Sequence, residues 1–472
     1  MKVLLTGATG YIGRRLLPLL LDEGHQVVCC VRDKNRFDAS WYSGDKLAII
    51  ELDFLKPASL NVIPQDVDIA YYLIHSMSST TKNFDDLEER SATNFKEILE
   101  TTKVRQVIYL SGITNQDNLS KHLSSRKQVE ETLGSDKYHL TTLRAGIIIG
   151  SGSASFEIMR DLVEKLPVMI TPKWLNTRSQ PIAIRNVLEF LKGVMNYEYT
   201  FNKSFDIGGT EILTYKEMLL EFGKVRKLKR YIFTLPVMTP RLSSYWLYFV
   251  TATSYNLAIN LVDSMKVEVI CQANDLAERL NIKLISYKDA IRLAFDKIAQ
   301  HDVASSWTDA QSSSILSNGI TELGKVPTNG CFKDSYHEEA KNPDLALERI
   351  WSIGGENGWY AANWLWAIRG YIDKLVGGVG LRRGRKHQTE ISAGESLDFW
   401  RVLYANKSEK RLLLYAEMKL PGEAWLEFII KDGKVFQTAT FRPLGLLGRL
   451  YWYSVLPFHA LIFRGMLRKI VA

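Results

Sequence analysis

The sequence predicts an α/β protein that begins with a doubly wound parallel sheet carrying a helical extension and ends with a smaller α+β domain. Three observations support this. Apolar, strand-like runs alternate with longer helical patterns over residues 1–230, a glycine-rich turn joins the first strand to the first helix, and the pattern becomes strand, turn, strand from about residue 388. Strands that are apolar almost throughout are expected where helices cover both faces of a sheet.

Periodicity predicts seven strands and six helices in the first part of the chain. The predicted strands are 2–6, 26–31, 47–51, 67–74, 106–111, 139–144 and 204–207, and the predicted helices are 11–23, 84–103, 124–134, 155–164, 184–195 and 214–224. Residues 230–300 look helical, and the polar, serine-rich stretch that follows is typical of a linker. We therefore predict domains at 1–300 and 321–472, joined by a linker at 301–320.

The composition is ordinary for a globular protein and indicates neither a metal site nor nucleic-acid binding. The chain has 472 residues, too many for one core, and its net charge of +8 is mild at this length. No metal-ligand spacing and no basic–aromatic strand pattern occurs. Cys29, Cys30, Cys271 and Cys331 suggest no disulfide framework, so a cytoplasmic location is predicted. The sequence does not determine an oligomeric state.

Two apolar stretches, 245–262 and 450–463, raise the question of membrane contact. Polar residues interrupt the first stretch, and the second contains Pro457 and His459 and is too short to span a bilayer. Both are predicted to be core helices, with peripheral membrane contact as the alternative. The basic run "GLRRGRKH" at 380–387 fits either a solvated turn or a contact with an anionic ligand or membrane surface.

The turn "TGATGYIG" has the spacing and the context of a dinucleotide-binding loop. Its glycines lie between the strand "KVLL" and an amphipathic helix. The first glycine permits a tight turn, the second lets backbone amides approach a pyrophosphate, and the third lets helix and strand pack closely, while the helix N-terminus favours negative charge. This pattern predicts a Rossmann-type cofactor site. The predicted loop contacts are Gly7, Thr9, Gly10, Tyr11, Ile12 and Gly13.

The end of the second strand favours NADP over NAD. Val31 stands where an NAD-type site would present a carboxylate, and Arg32 follows it. An arginine there can pair with a 2′-phosphate, although Asp33 lies close by. Asp53, after the third strand, fits either an adenine-contacting acid or a simple turn residue.

The strings "TGATGYIG", "VRD", "YLIHSM", "YLSG", "LRAGIIIGSGSASFEIMR" and "QPIAIRNV" carry a resemblance that covers roughly residues 1–300. They resemble the extended, atypical branch of the short-chain dehydrogenase/reductase superfamily, of the NmrA-like or nucleoside-diphosphate-sugar epimerase type. The resemblance implies hydride transfer. In that family a serine that ends the fifth strand and a Tyr-x-x-x-Lys on the next helix hold the substrate oxygen.

Carried over to this chain, the resemblance implies a catalytic set of Ser111, His122 and Arg126. The serine is kept, while His122 stands at the tyrosine position and Arg126 at the lysine position. A histidine could move a proton near neutral pH, or it could only orient a ligand. An arginine could hold ribose hydroxyls or a phosphate, but it cannot act as a lysine does. The usual machinery is therefore either replaced or lost.

The resemblance also implies further contacts at the ends of the later strands. His75 and Ser76 end the fourth strand, where the nicotinamide ribose would lie, although His75 could equally be a structural strand-end residue. Arg144 ends the sixth strand and is expected near the substrate. Arg178 and Gln180 match a substrate-side segment, with a surface salt bridge as the alternative for Arg178.

The strings "WSIGGENGWYAANWLWAIRGYIDKLVGGVGLRRGR", "LDFWRV", "AEMKLPGEAWLEF" and "YWYSVLPFHALIFRGM" carry a second resemblance, over roughly the last 150 residues, to a domain of unknown function that accompanies this dehydrogenase subgroup. The resemblance implies a helix-grip fold of the START or polyketide-cyclase kind, in which a curved antiparallel sheet wraps a long C-terminal helix around an apolar cavity. Asp398, Arg401, Glu417 and Lys419 could form an ion-paired cluster there.

These features lead to three functional hypotheses. The first is an NADP-dependent oxidoreductase that acts on a small hydrophobic or amphiphilic carbonyl or quinone-like ligand. The second is a non-catalytic NADP(H)-binding sensor or scaffold, favoured by the missing Tyr-x-x-x-Lys pair. The third is lipid binding at a membrane surface, favoured by the basic run and the aromatic C-terminus.

Overall fold

The structure is a computed structural model of the chain. It describes residues 1–34, 37, 45–74, 84–114, 121–235, 259, 262–299, 326, 331–376, 378, 380 and 390–472. The chain divides into two compact units, 1–34 with 39–314, and 35–38 with 315–472. The linker expected at 301–320 lies outside the described residues, so the domain boundaries stay a prediction.

The first unit contains thirteen strands and eight α-helices among its described residues. Its strands are β1 (Lys2–Leu5), β2 (Gln26–Val31), β3 (Leu47–Glu51), β4 (Ile69–Tyr72), β5 (Gln106–Gly112), β6 (His139–Ala145), β7 (Ile148–Ile149), β8 (Val168–Pro172), β9 (Arg178–Ser179), β10 (Ile182–Ala183), β11 (Lys203–Ile207), β12 (Leu213–Thr214) and β13 (Tyr231–Leu235). Its helices are α1 (Gly13–Asp22), α2 (Phe84–Leu99), α3 (Lys121–Thr132), α4 (Ala154–Lys165), α5 (Ile184–Gly193), α6 (Tyr215–Val225), α7 (Leu276–Arg279) and α8 (Tyr287–Ala299).

Seven of these strands form one parallel sheet in the order β11-β6-β5-β4-β1-β2-β3. The prediction of a doubly wound parallel sheet is confirmed, because the strand order reverses between β1 and β4. At that point Thr6 ties the two strand ends together. Its Oγ1 donates to Tyr71 O at 2.9 Å and accepts from Leu73 N at 3.0 Å. The carboxyl edge of the sheet is therefore fixed where a Rossmann fold binds its ligand.

The second unit is built on an antiparallel sheet. Its strands are β14 (Phe332–Glu339), β15 (Ser396–Leu397), β16 (Trp400–Asn406), β17 (Arg411–Ala416), β18 (Gly422–Lys431) and β19 (Lys434–Pro443), in the order β14-β19-β18-β17-β16-β15, and its helices are α9 (Pro343–Ile350), α10 (Asn363–Leu375) and α11 (Gly445–Val471). Asp432 and Gly433 join β18 to β19 with φ of 52° and 74°, the left-handed pair of a type I′ hairpin. The hairpin expected at these residues is confirmed.

The long helix α11 packs its C-terminal third on the core of this unit. Phe463, Met466, Leu467 and Ile470 are buried there with side chains from the sheet. An antiparallel sheet and a long terminal helix are what a helix-grip domain requires, and the helix-grip assignment itself stays a prediction. In the part of the chain that the structure describes, no helix combines the length and apolarity needed to cross a bilayer.

A buried ion pair links β16 to the end of β17. Arg401 Nη2 lies 3.1 Å from Glu417 Oε1, and both side chains are fully buried. Arg401 Nη1 also donates to Gly394 O at 2.8 Å. Of the other two polar residues expected in this cluster, Asp398 accepts a bond from Trp359 Nε1, and Lys419 donates to Val376 O.

Because a buried charge without its partner is costly, Arg401→Met should destabilise the protein by about 3–5 kcal/mol. The double variant Arg401→Met/Glu417→Met should recover most of that loss. Denaturant titration measures both. As the matched control, Lys407→Met breaks the half-exposed Lys407–Glu390 pair and should cost less than about 1 kcal/mol. Equal losses for the two single variants would contradict this account.

Candidate functional site

The loop between β1 and α1 is shaped by the lack of side chains at its glycines. Gly7 has φ of 65°, and a Cβ there would lie 2.6 Å from Leu73 O. A Cβ on Gly13 would lie 2.3 Å from Gly7 O, so α1 starts in direct contact with the turn. A Cβ on Gly10 would meet one atom within 4 Å, Gly7 O at 3.1 Å. The loop therefore leaves room beside Gly10 at the helix N-terminus, which is where a pyrophosphate would fit.

The side chain of Tyr11 faces the protein. The loop glycine Gly150 approaches it so closely that a Cβ there would lie 2.6 Å from the Tyr11 hydroxyl. The guanidinium of Arg15 lies 4.7 Å from the Tyr11 ring centroid, and its Nη2 donates to Ser151 O at 2.7 Å. Burial raises the pKa of Tyr11 to about 12. Tyr11 thus anchors α1 to the loop before α4, and a cofactor contact from residue 11 would come from its backbone.

The end of β2 presents an exposed cation. Arg32 is exposed and makes no hydrogen bond or ion pair with the described residues, whereas Asp33 is buried. Glu51, at the end of β3, accepts a bond from Lys34 N at 3.1 Å. Asp53 Oδ1 accepts a bond from Leu55 N at 3.0 Å, so Asp53 holds the turn after β3. A turn residue was one of the two alternatives that the sequence left open for Asp53, and the structure shows that role. A contact between Asp53 and adenine stays a prediction.

Ser111 and Arg126 meet at the carboxyl end of β5. Ser111 is 3% exposed, and its Oγ makes no hydrogen bond of full geometry among the described residues, although it lies close enough to the Tyr109 hydroxyl to lower the pKa of that phenol. Arg126, on α3, donates from Nη1 to Leu110 O at 3.1 Å, while its buried Nε has no partner in the same part of the chain. The two residues that the family pattern selected are therefore neighbours, and each keeps an unused hydrogen-bonding atom.

One face of α3 contacts the carboxyl ends of β5 and β6. Positions 122, 126 and 130 are four apart on the helix and therefore share this face. Glu130 accepts two bonds from Arg144, at 3.0 and 2.7 Å, and one from Ser204 at 2.5 Å. Arg144, which pairs in register with Ser111, thus has its guanidinium held by α3. The sequence analysis missed Glu130, although its spacing from Arg126 was a usable signal.

Buried tyrosines at the sheet edge are poor replacements for the missing catalytic tyrosine. Burial is the main cause that raises the pKa of Tyr72 and Tyr109, and Arg126 nearby opposes it in both. Their hydroxyls are also engaged, since Tyr72 lies 3.3 Å from Ser91 Oγ and Tyr109 3.5 Å from Arg126 O. Neither phenol is suited to exchange a proton near neutral pH.

The substrate-side residues expected from the sequence make structural contacts. Arg178 forms an exposed, two-point ion pair with Glu268 at 2.8 and 3.0 Å. This is the surface salt bridge that the sequence analysis gave as the alternative to a substrate contact. Gln180 Nε2 donates to Gly209 O at 2.8 Å, and its Oε1 accepts from Cys271 N at 3.1 Å. Substrate contacts by these two residues stay a prediction.

Three expected site residues cannot be placed in full. His75 and Ser76 lie outside the described residues, and of His122 only the helix position is described. Within the described ranges, no group of three or more histidine, cysteine or acidic side chains could hold a metal ion.

The two parts of the chain match different protein families. Residues 7–148 match the family model described as NAD(P)H-binding, and residues 329–466 match a protein family of unknown function, DUF2867. A ketoreductase, azaE, from Aspergillus niger is 36% identical over 91 residues, which are 18% of this chain and 27% of that protein. Trichosetin synthetase PKS-NRPS1 from Gibberella fujikuroi is 34% identical over 85 residues, 16% of this chain and 2% of that protein. The chain thus spans a small part of either curated relative.

Solved structures resemble the first unit in fold. Triphenylmethane reductase from Citrobacter sp., complexed with NADP(H), has a TM-score of 0.51 at 16% identity and covers 62% of this chain and 100% of its own. The NADPH-dependent quinone oxidoreductase of Escherichia coli has a TM-score of 0.51 at 15% identity, covering 62% and 99%. A nucleoside-diphosphate-sugar epimerase from Staphylococcus aureus has a TM-score of 0.51 at 14% identity, covering 62% and 100%.

These findings define the class of the first unit. It has a Rossmann fold, as its glycine loop and strand order indicate, and residues 7–148 match the NAD(P)H-binding model. In the second unit, the range that matches the family of unknown function, residues 329–466, contains the antiparallel sheet.

The glycine loop gives a matched pair of variants. Gly10→Val places a Cβ 3.1 Å from Gly7 O and otherwise points into open space, so it should weaken NADPH binding at least about tenfold with a smaller loss of thermal stability than Gly13→Val. Gly13→Val forces a side chain onto Gly7 O and should lower the melting temperature as well. Calorimetric titration and thermal unfolding measure the two effects. Unchanged NADPH affinity in Gly10→Val would rule out this loop as the pyrophosphate site.

Proposed function

We propose that the chain is an NADP-dependent oxidoreductase acting on a hydrophobic carbonyl or quinone-like compound. The observation that carries the proposal is the buried hydroxyl of Ser111 at the carboxyl end of β5, which has the Tyr109 hydroxyl beside it but makes no hydrogen bond of full geometry among the described residues. A buried polar group without a partner costs about 1–3 kcal/mol. A substrate oxygen that bonds to Ser111 would remove that cost, so binding at this place is favoured.

The residues that would hold NADP(H) follow from the same geometry. Backbone amides of the loop from Gly7 to Gly13 would bind the pyrophosphate, and the free guanidinium of Arg32 would pair with the 2′-phosphate. Arg126 would donate to ribose hydroxyls, since its Nε has no partner among the described residues. Bound in this way, the cofactor supplies a hydride to the carbonyl carbon of the substrate.

The proton for the substrate oxygen comes from the chain itself in this proposal. Ser111 donates a hydrogen bond that positions the oxygen, and His122, one turn before Arg126 on the same face of α3, gives the proton. A hydride on carbon and a proton on oxygen convert a carbonyl group to an alcohol. The names of the solved relatives, a triphenylmethane reductase and a quinone oxidoreductase, support aromatic compounds as the substrate class and NADPH as the donor.

The proposal predicts that the full chain oxidises NADPH with members of a panel of aromatic ketones and quinones, such as menadione and 9,10-phenanthrenequinone. Ser111→Ala should lower kcat/KM about 10- to 100-fold with little change in the melting temperature, because its hydroxyl makes no hydrogen bond of full geometry among the described residues and only a weak contact with Tyr109 would be lost. Absorbance at the NADPH band follows turnover. Lys127→Ala, at the exposed residue next to Arg126, serves as the control and should leave turnover unchanged.

Two further arms of this assay test the other roles. His122→Ala should abolish turnover, and normal turnover in that variant would remove His122 as the proton donor. Arg32→Ala should reduce the preference for NADPH over NADH, which compares the two cofactors directly. Tight NADPH binding with no turnover on any member of the panel would instead support the non-catalytic sensor. A cytoplasmic location stays a prediction.

A second candidate function, docking on a lipid surface, is favoured by the outer faces of two helices in the second unit. On α10 the exposed apolar residues are Trp364, Ile368, Tyr371, Ile372 and Leu375, and on α11 they include Leu446, Leu450, Tyr453 and Leu461. Their spacing places each set on one face of its helix. A helix that packs one face on a core normally turns a polar face to water, so these two apolar faces require another environment.

The positive charge of α11 favours an anionic bilayer as the partner. The stripe of α11 that carries Leu446, Leu450 and Leu461 continues with Arg464 and Arg468, and α11 contains no acidic residue. The sequence after α10 adds four basic residues within 382–386. Apolar side chains beside cations are typical of helices that lie in the interface of anionic membranes.

The full chain should therefore sediment with vesicles of phosphatidylcholine containing phosphatidylglycerol, more than with phosphatidylcholine alone, and less at high salt. Leu446→Gln/Leu450→Gln should reduce the bound fraction several-fold. The control is Leu345→Gln, an exposed leucine on α9. Absence of binding to anionic vesicles, or a dimer that Leu446→Gln/Leu450→Gln dissolves, would contradict the lipid proposal, the second result by showing that another copy covers these faces.

A further inference from the structure

The second unit contains an apolar cavity. It has a volume of about 310 Å³ and lies between α10, α11 and the inner face of the antiparallel sheet. This volume is at the lower end of the range of small-molecule sites, about 300–1,000 Å³. The walls are formed by aliphatic and aromatic residues, and Trp366, Trp400 and Trp452 are among the aromatic ones.

The walls select a ligand without charge. Among the described residues that line the cavity none is acidic, and the only fixed cation among them is Arg369. Its guanidinium is already used, since Nη2 donates to Lys419 O at 3.3 Å and Nη1 lies 3.9 Å from Asp373. A charged ligand would lose its hydration here and gain no free counter-ion, which costs several kcal/mol at least.

One polar side chain in the wall, His459, is arranged to bind a hydroxyl group. Its ring lies edge-on to Trp452 and Phe463, with centroid distances of 5.0 and 4.8 Å. Nδ1 faces Asp334 Oδ2 at 3.4 Å, an electrostatic contact in which neither atom makes a hydrogen bond of full geometry, and no hydrogen bond among the described residues uses Nε2. A carboxylate opposite Nδ1 favours the proton on that nitrogen and leaves Nε2 as an acceptor.

Burial in this wall favours the neutral imidazole. Burial lowers the pKa of His459, and this effect exceeds the opposite influence of Asp334. A neutral histidine with its proton on Nδ1 accepts a hydrogen bond at Nε2 and donates none there. The complementary group on a ligand is therefore a hydroxyl donor.

We propose that this cavity binds an uncharged, ring-containing apolar molecule that carries a hydroxyl group, with the hydroxyl donating to His459 Nε2 and the rings contacting the tryptophans. The site goes beyond the proposed redox function and does not depend on it. A hydroxyl is, however, what reduction of a carbonyl yields, so the cavity fits the product of that reaction better than its substrate.

Three aromatic probes of one shape test the proposal by tryptophan fluorescence on the full chain without cofactor. 9-Phenanthrol carries a hydroxyl, phenanthrene lacks it, and phenanthrene-9-carboxylate carries a charge. Phenanthrol should bind about fivefold more tightly than phenanthrene, the value of one hydrogen bond, and the carboxylate at least about tenfold more weakly. Equal affinities for the first two probes, or tightest binding of the carboxylate, would overturn the proposal.

Variants locate the site. His459→Phe should remove the preference for phenanthrol while phenanthrene still binds, and Asp334→Asn should weaken the same preference. The matched control is His337→Phe, at an exposed histidine of β14, which should leave it intact. Ala424→Trp, which fills the cavity, should weaken all three probes. Unchanged probe binding in Ala424→Trp would show that the probes bind elsewhere.

The redox proposal can fail separately. Gly10→Val, which blocks the cofactor loop of the first unit, should leave phenanthrol affinity unchanged. Loss of phenanthrol binding in Gly10→Val would place the probe in the cofactor crevice and contradict the cavity site.

Discussion

The chemistry proposed for the first unit depends on one close approach between α1 and the turn that follows β1. A Cβ at residue 13 would lie 2.3 Å from Gly7 O, so any larger residue would push the helix away from the strand. With glycine there, the positive N-terminal end of α1 lies at the reversal of strand order between β1 and β4. Thr6 fixes the neighbouring strand ends at the same edge. At the carboxyl edge of the sheet, backbone amides can therefore bind an anion at the turn after β1, while Ser111 and Arg126 lie at the end of β5.

Local patterns in the sequence predicted the fold of the first unit well, because periodicity and glycine spacing are local properties. All seven strands of the parallel sheet were predicted to within about two residues. Contacts between residues that lie far apart in the sequence were harder to predict. The i, i+4 spacing puts Arg126 and Glu130 on one face of α3, but it does not reveal that Glu130 binds Arg144 on β6. Arg178 and Gln180 followed from family resemblance, and the structure shows both engaged with neighbouring residues.

In the second unit the sequence predicted the hairpin at Asp432 and Gly433, because that turn needs two left-handed residues. It could not show which side chains face inward, since alternation along a strand leaves both assignments open. Arg401 and Glu417 proved to be a fully buried pair, which requires the sheet to be in register. His459 and Asp334 are 125 residues apart in the chain and come together only when α11 lies on β14. No local signal could have found that pair.

The cavity and the exposed helix faces belong to one physical arrangement. Ile368, Ile372 and Phe458 line the cavity and are also among the exposed apolar residues. A ligand that moves from a membrane past these side chains into the cavity passes from one apolar environment to another. Its apolar surface is not exposed to bulk water on the way. Such a ligand would partition into lipid for the same reason that it enters the cavity, and a membrane is where its concentration would be highest. An apolar rim around the cavity is therefore expected if the ligand reaches the site from a lipid phase, and a polar rim would be expected if it came from solution.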